Sequence, residues 1–397
     1  MDSHARSFSD APVLPANAAA PPLRAQVALL VAVITHYREP FYETLRFALR
    51  NEGIELRLVY GVTDGHWSRA LDWAEPFRVR RLPGGATWFP VFASVLHSAD
   101  VVVSEDASRH LVNYAFLAAR SFGGPKLVLW GHGWDHQKVR PRSIPERLKT
   151  FVSRRADGFL AYTPGICEAL IARGYDGSRL HDVRNTLPAP DSWPEPGDVD
   201  RLRASLGLTP DARVALYCGQ MYPLKRVELL IDAARVVKAA VPEFELVLAG
   251  AGPTQAAAES AAEREPYIHY VGPIFGAAKT RHFALADVCV IPGIVGLALV
   301  DAFHHHVPSV VTRMQTHGPE IEYLRHERNG LMTEHSPRDL AAGIIRVLQD
   351  AELRSSLVEG CRKSSAELTI GNMVERFVNA IVYTLDADKA HRRLQYG

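Results

Sequence analysis

Short apolar runs, each closed by Gly, Pro or a polar turn and followed by a stretch with helical spacing, recur along almost the whole chain. No other feature restricts the fold as tightly. Unbroken apolar runs of this length suit strands buried on both faces, and the intervening helices supply the crossovers that a parallel sheet requires. In the first half the pattern predicts strands over Val27–Thr35, Ile54–Tyr60, Asp100–Ser104, Lys126–Trp130 and Gly158–Tyr162, with helices over Pro40–Arg50 and Arg109–Arg120. In the second half it predicts strands over Val214–Gly219, Phe244–Leu248, Ile268–Val271 and Asp287–Ile291, with helices over Val227–Val237 and Ala298–His306. The stretch from Val310 to Tyr323 reads as a loop.

Prolines separate the two series. Pro188, Pro190, Pro194 and Pro196 preclude regular structure and mark a linker near residues 186–200. The expected organisation is a disordered tail over 1–25, rich in Ala, Pro and Ser, a Rossmann-like domain over 26–190, a second over 200–360, and a helical tail over 361–397 that crosses back to the first domain. A chain of 397 residues accommodates two domains, and 47% hydrophobic with 22% charged residues excludes a largely disordered protein. The formal net charge of +1 provides no global field for nucleic acid, which is not expected as a partner. The first apolar run is too short to span a bilayer, and Cys167, Cys218, Cys289 and Cys361 lack metal-ligand or redox spacing. Reduced core cysteines and a cytoplasmic location are the expectation.

The chemistry concentrates in the second half. Its first strand runs into Gly219-Gln220-Met221-Tyr222-Pro223-Leu224-Lys225, which places a cation at a strand's carboxyl end. Ligands bind at that edge of an open parallel sheet, and an incoming helix presents free N–H groups that favour anions. A solvated charge at a turn is the alternative. Gly250-Ala251-Gly252-Pro253, Gly272-Pro273, Pro292-Gly293-Ile294-Val295-Gly296-Leu297 and Gly318-Pro319-Glu320 then follow in order.

Over residues 213–335 this order resembles the donor domain of GT-B glycosyltransferases, especially glycosyltransferase family 4 (group 1). The likeness over 26–185 is weaker and mostly architectural. It implies an α/β GT-B fold, with two Rossmann-like doubly wound parallel-sheet domains facing across a cleft. The implied activity is retaining transfer of a sugar from a nucleoside-diphosphate sugar to an acceptor hydroxyl, with no cofactor and no metal. By the resemblance Lys225 is the phosphate-binding, catalytic Lys, while Gln220, beside Gly219, stands where the family usually has Arg. Backbone at Gly252, Pro253, Gly272 and Ile274 would line the base, and the amides of Gly296 and Leu297 would meet the diphosphate. Asp301 takes the place of the second Glu of the family's paired-Glu motif and would hold the ribose. The first Glu of that pair is missing, and its position is Gly293. Glu320 would cap its helix or face the site.

In the first half, His132 stands between two glycines at the end of a strand, where related enzymes carry a His beside the donor sugar; it reads as a catalytic sugar contact or as a turn residue. His36 and Arg38 could meet an anionic acceptor, or form a solvated loop. Arg140, Arg142, Arg147, Lys149, Arg154 and Arg155, interleaved with Leu148, Phe151 and Val152, read either as a solvated face or as a contact for anionic lipid headgroups. The setting commonest for such relatives is bacterial surface polysaccharide or glycolipid assembly, with a glycan or polyprenyl-linked acceptor. His304-His305-His306 invites a metal reading, but consecutive helical residues diverge by about 100°. Two alternatives remain: a catalytically silent GT-B binding or partner subunit, and a GT-B nucleotide-sugar epimerase or hydrolase.

Overall fold

The computed structural model describes residues 21–62, 71–133 and 144–396. The tail expected over 1–25 lies outside the described residues as far as position 20. The chain forms two compact units, Met1–Pro188 with Ile370–Gly397, and Ala189–Thr369.

The first unit runs β1 (Ala25–Val31), α1 (Glu39–Asn51), β2 (Ile54–Val62), β3 (Glu75–Arg78), a short antiparallel pair β4 (Arg80–Arg81) and β5 (Thr87–Trp88), α2 (Phe92–Ser98), β6 (Val101–Glu105), α3 (Leu111–Arg120), β7 (Lys126–Gly131), α4 (Ile144–Arg155), β8 (Gly158–Ala161), α5 (Pro164–Ala172) and β9 (Leu180–Asp182). Seven strands make one parallel sheet in the order β3-β2-β1-β6-β7-β8-β9. Period-two alternation explains why its runs are apolar throughout. Val27, Leu29 and Val31 pack with Phe41 and Leu45 of α1, while Ala28 and Leu30 pack on the opposite face with Val102 and Phe116.

The second unit runs α6 (Pro196–Ser205), β10 (Arg213–Cys218), α7 (Val227–Ala240), β11 (Phe244–Ala249), α8 (Gln255–Arg264), β12 (Ile268–Gly272), α9 (Gly276–Leu285), β13 (Val288–Ile291), α10 (Ala298–His304), β14 (Ser309–Thr312), β15 (Gly330–Thr333), α11 (Pro337–Gln349) and α12 (Ala351–Glu367). Its six strands form a parallel sheet in the order β12-β11-β10-β13-β14-β15. The last helix, α13 (Ile370–Tyr396), belongs to the first unit, where Phe377 packs on Phe41 and Trp130, and Lys126 donates to the Thr384 carbonyl at 2.7 Å.

Several boundaries differ from expectation for local physical reasons. The expected break at 361 falls inside α12. Pro196 opens α6 rather than extending the linker, because proline at a helix start gives up an N–H that would be unbonded anyway. Ser309–Thr312, read as loop, is the buried strand β14, held between β13 and β15. Farther back, Trp193 stacks on His306 at 4.9 Å and 27°, which strands the linker against its own unit and occupies a histidine that sits at φ +57°.

Arg38 fastens three separate parts of the first unit. Its buried guanidinium bonds the Asn185 side chain, donates to the Thr186 carbonyl at 3.2 Å and to Met373 Sδ at 3.6 Å, and lies 5.3 Å from the Trp130 ring centroid. Replacing Arg38 by Ala removes these buried hydrogen bonds together with the guanidinium's packing and should cost about 2–4 kcal/mol of stability. The expected result is a lower thermal midpoint for the full chain; an unchanged midpoint would contradict the fastening role.

Candidate functional site

Strand order in the second sheet reverses between β10 and β13, so the loops leaving those two strands flank a crevice at the sheet's carboxyl edge. Glycines let the backbones there approach without side chains between them. Gly250 and Gly252 adopt φ +146° and +150°, and a β-carbon on either would overlap the carbonyl of Gly219 or Met221. The same loops exchange hydrogen bonds, Met221 N–H to the Ala251 carbonyl at 2.8 Å and Thr254 N–H to the Met221 carbonyl at 3.0 Å. On the other side, Gly293 meets Leu224 and Lys225, and Ile294 N–H donates to the Leu224 carbonyl at 2.9 Å. Gly293 is not left-handed, so space and not dihedral freedom dictates glycine. Any β-carbon there would overlap the Leu224 carbonyl, and the position where the resemblance expects an acid is sterically closed.

Lys225 ends a short 3-10 turn, Pro223–Lys225, and its ammonium donates to the Ile294 carbonyl at 2.8 Å. Burial pushes its pKa down to about 8, against the supporting charge of Glu320. Glu320 is 4% exposed in the turn Pro319–Tyr323, whose cap position is Gly318, so of its two expected roles the structure places it beside Lys225 rather than at the cap. His317 accepts Val295 N–H at 3.2 Å, and burial holds its pKa below the ordinary range. Gly318 N–H donates back to the Val295 carbonyl at 2.9 Å, which staples the two loops together. Among the described residues the N–H groups of Gly296 and Leu297 make no hydrogen bond, leaving two donors at the entry of α10. Gln220 is exposed, its carbonyl held by the Tyr217 hydroxyl at 2.6 Å.

One turn into α10, Asp301 meets a residue that sequence reasoning missed. Lys279 of α9 bonds both its carboxylate oxygens, at 2.8 and 2.9 Å, and His305 Nδ1 stands 3.4 Å from Oδ1. Nothing in the sequence flags this pair, because the partners lie 22 residues apart on separate helices. Gly252 and Pro253 follow β11, while Gly272 and Ile274 lie at the end of β12, both on the same carboxyl edge.

In the first unit the reversal falls between β1 and β6, and the groups at that edge are acidic. Glu105 accepts Ala32 N–H at 2.9 Å, and burial pushes its carboxyl above the ordinary range. Asp106 pairs with Lys149 at 3.1 Å and takes the Ser153 hydroxyl at 3.1 Å. Sequence reasoning missed both acids, which end an apolar strand with no motif around them. His132 lies exposed at the end of β7, 4.4 Å from the Tyr162 ring centroid. His36 is exposed against Tyr37, whereas Arg38 is the buried fastener described above and not an acceptor contact.

Lys149 of the expected basic cluster therefore points inward, and Val152 is core. Arg147, Leu148, Phe151, Arg154 and Arg155 are exposed; Arg140 and Arg142 lie outside the described residues. The three consecutive histidines go to three different partners: His304 to Ser365 at 2.8 Å, His305 stacked on Phe283 at 4.3 Å, and His306 on Trp193. No group of side chains able to hold a metal ion occurs among the described residues, and none of their helices is long and apolar enough to cross a membrane.

Residues 212–350 match the family model described as Glycosyl transferases group 1. A D-inositol 3-phosphate glycosyltransferase of Geodermatophilus obscurus is 28% identical over 276 residues, covering 64% of this chain and 58% of that protein. Matches to the leading curated relatives span 40% to 58% of their own length. Among solved structures, Anabaena HepE in complex with UDP-glucose is similar with a TM-score of 0.68 at 17% identity, over 90% of this chain and 100% of that one. The lipopolysaccharide outer core galactosyltransferase WaaB is similar at a TM-score of 0.62 and 16% identity, over 90% and 99%. These likenesses establish the GT-B fold.

The closure at Gly293 carries a direct test. Gly293→Ala should destabilise the protein by about 1–3 kcal/mol through overpacking, and Gly293→Glu by at least as much. Thermal melting decides it: a Glu variant as stable as the parent would show that the loop has room.

Proposed function

We propose that this GT-B chain, whose second unit is a group 1 glycosyltransferase domain, transfers a sugar from a nucleoside diphosphate to an acceptor hydroxyl with retention of configuration. The observation that carries this reading is the placement of Lys225 and two unbonded amides on the two loops that flank the strand-order reversal of the second sheet, with Asp301 one turn into the helix that follows. Charge develops on the diphosphate as the glycosidic bond breaks, and Lys225 with the amides of Gly296 and Leu297 supplies fixed positive potential without a metal. The departing phosphate takes the acceptor's proton, so the reaction needs no enzymic base at the closed position of Gly293. His132 steadies the sugar. A uridine or other nucleoside diphosphate fits the backbone at Gly252, Pro253, Gly272 and Ile274 equally, because backbone contacts carry no side-chain code.

The same reading places the reaction in bacterial surface polysaccharide or glycolipid assembly, with a glycan or polyprenyl-linked acceptor. What supports it is the likeness to the lipopolysaccharide outer core galactosyltransferase WaaB together with α4, where Arg147, Arg154 and Arg155 surround Leu148 and Phe151, each 49% exposed. Replacing Leu148 and Phe151 by Glu should reduce co-sedimentation with anionic phospholipid vesicles severalfold; equal sedimentation would remove α4 from membrane contact.

Thermal shift against a panel of nucleoside diphosphates and nucleotide sugars, without metal, tests the donor site first. Saturable binding at a hundred times the dissociation constant stabilises by about 2.7 kcal/mol. Lys225→Ala should abolish the shift while changing the unliganded midpoint little. In the free protein Lys225 is protonated below about pH 8, and the anion requires that charge. Affinity should therefore hold below pH 8 and fall as pH rises above it, and a flat profile would detach the lysine from the phosphate. A second reading, a silent binding subunit, is favoured by one observation, the steric closure at Gly293. Nucleotide binding with no turnover in the presence of acceptor lipids would select it, and donor turnover with no acceptor would select an epimerase or hydrolase.

A further inference from the structure

We infer that His317 is a positioning residue for the donor loop: its neutral ring grips Val295 and so aims the Gly296 amide, and protonation of the ring releases that amide and the diphosphate it would hold. The inference rests on the donor-site reading above. Its starting point is that two backbone N–H groups converge on one imidazole. Val295 N–H donates to Nδ1 and Met314 N–H meets Nε2, each at 3.2 Å. A neutral imidazole has one bare nitrogen, so it satisfies one of these donors at a time. An imidazolium has none and satisfies neither.

The grip reaches the free amide through a single peptide. The next residue, Gly318, gives its N–H to the Val295 carbonyl at 2.9 Å, so residues 317 and 318 hold Val295 by both of its backbone groups. The N–H and C=O of a trans peptide point in opposite directions. With the Val295 carbonyl turned toward Gly318, the Gly296 N–H of the same peptide is turned away, and among the described residues it makes no hydrogen bond. The approach leaves no room for a side chain at 318, where a β-carbon would stand 2.6 Å from the Val295 carbonyl oxygen and 2.8 Å from Glu320 Oε2. Val295 is buried and Gly296 half-buried, so a buried grip presents a reachable donor.

Groups around the ring set the sign of its response to pH. Burial disfavours the imidazolium, the Thr312 carbonyl favours it, and His335 beyond β15 and Lys225 of the β10 loop disfavour it by charge. Glu320 of the following turn stands beside Lys225, and Arg313 is paired with Glu334. The folded ring therefore titrates below the ordinary histidine value of about 6.5. Its grip is complete above that value and is lost as pH falls from there through the folded one. Acid then has two opposed effects at the donor site. A new charge near Lys225 attracts an anion, whereas a Gly296 amide no longer aimed attracts it less. The imidazolium's nitrogens face backbone N–H groups and offer the anion no direct bond, so the lost amide outweighs the gained charge. Donor binding thus acquires an acid limit below the plateau that Lys225 maintains.

The test is isothermal titration of the full chain at about pH 7.5 and about pH 5, on either side of the imidazole range. The probe is the nucleotide sugar selected by thermal shift, whose diphosphate is esterified at both ends and takes up no proton between those values. The parent should bind about tenfold more weakly in acid, the loss of one charge-assisted hydrogen bond. His317→Asn, whose side-chain carbonyl can take the Val295 N–H at either pH, should match the parent at neutral pH and lose no more than about twofold in acid. His317→Leu should be about tenfold weak at both. An acid loss in His317→Asn equal to the parent's would overturn the inference, as would tighter binding by the parent in acid. A second readout needs no ligand: in protein carrying isotope-labelled valine, the Val295 amide resonance should move with the same midpoint as the His317 ring. An amide that does not follow the ring overturns the grip. No binding by the parent at neutral pH, with the amide still following the ring, would refute the donor site while leaving the hold of His317 on Val295 standing.

Discussion

Where strand order reverses in the second sheet, the loops after β10, β11 and β13 must come together along their backbones, and the rest of the site depends on that contact. Gly250 and Gly252 bring the β11 loop onto Gly219 and Met221, and Gly293 brings the β13 loop onto Leu224 and Lys225. Lys225 owes its position to this arrangement, because the carbonyl it bonds belongs to Ile294, the residue after the last of these glycines. Its depressed pKa has the same origin: packing that excludes side chains also excludes water from around the ammonium. Glu320 and His317 close the assembly from the β14 side.

The two units use one topology to opposite electrostatic ends. In each, the strand order turns back beside the first strand of the unit, and in each the loops at that point carry ionisable groups. The second unit presents a lysine and free amides, suited to an anion. The first presents Glu105, anchored by Ala32 N–H, with Asp106 neutralised by Lys149. A second buried cation, Arg38, is committed to holding α13 and the Asn185–Thr186 segment. Identical backbone logic thus leaves the sign of the field to a few side chains.

Much of the architecture was legible because parallel strands buried on both faces leave an unbroken apolar signature, as at Val27–Val31 and Val288–Ile291. Strands without that signature escaped notice. Glu75–Arg78 and Leu180–Asp182 sit at the two edges of the first sheet, where one flank needs no apolar partner, and Ser309–Thr312 follows Pro308 and offers only Val310 and Val311 as an apolar run. At the site, Lys225, Gly296 and Asp301 were singled out by their order along the chain, through the resemblance that order carries, and not by any contact between them. Contacts that cross the fold were not. Lys279 reaches Asp301 from another helix, and Arg38 looked like a ligand-binding cation because its partners, 147 and 335 residues away, leave no local trace.

Gly293 also bears on the history open to this protein. A glycine codon ending in any base lies one or two nucleotide changes from glutamate, so the missing acid is genetically close. Sterically it is distant, since the Leu224 carbonyl fills the volume a β-carbon would need. A side chain at 293 requires this loop to shift away from Leu224, and that shift would loosen the seat of Lys225. The close packing of this loop therefore acts as a ratchet, holding the site to whatever chemistry the remaining groups support.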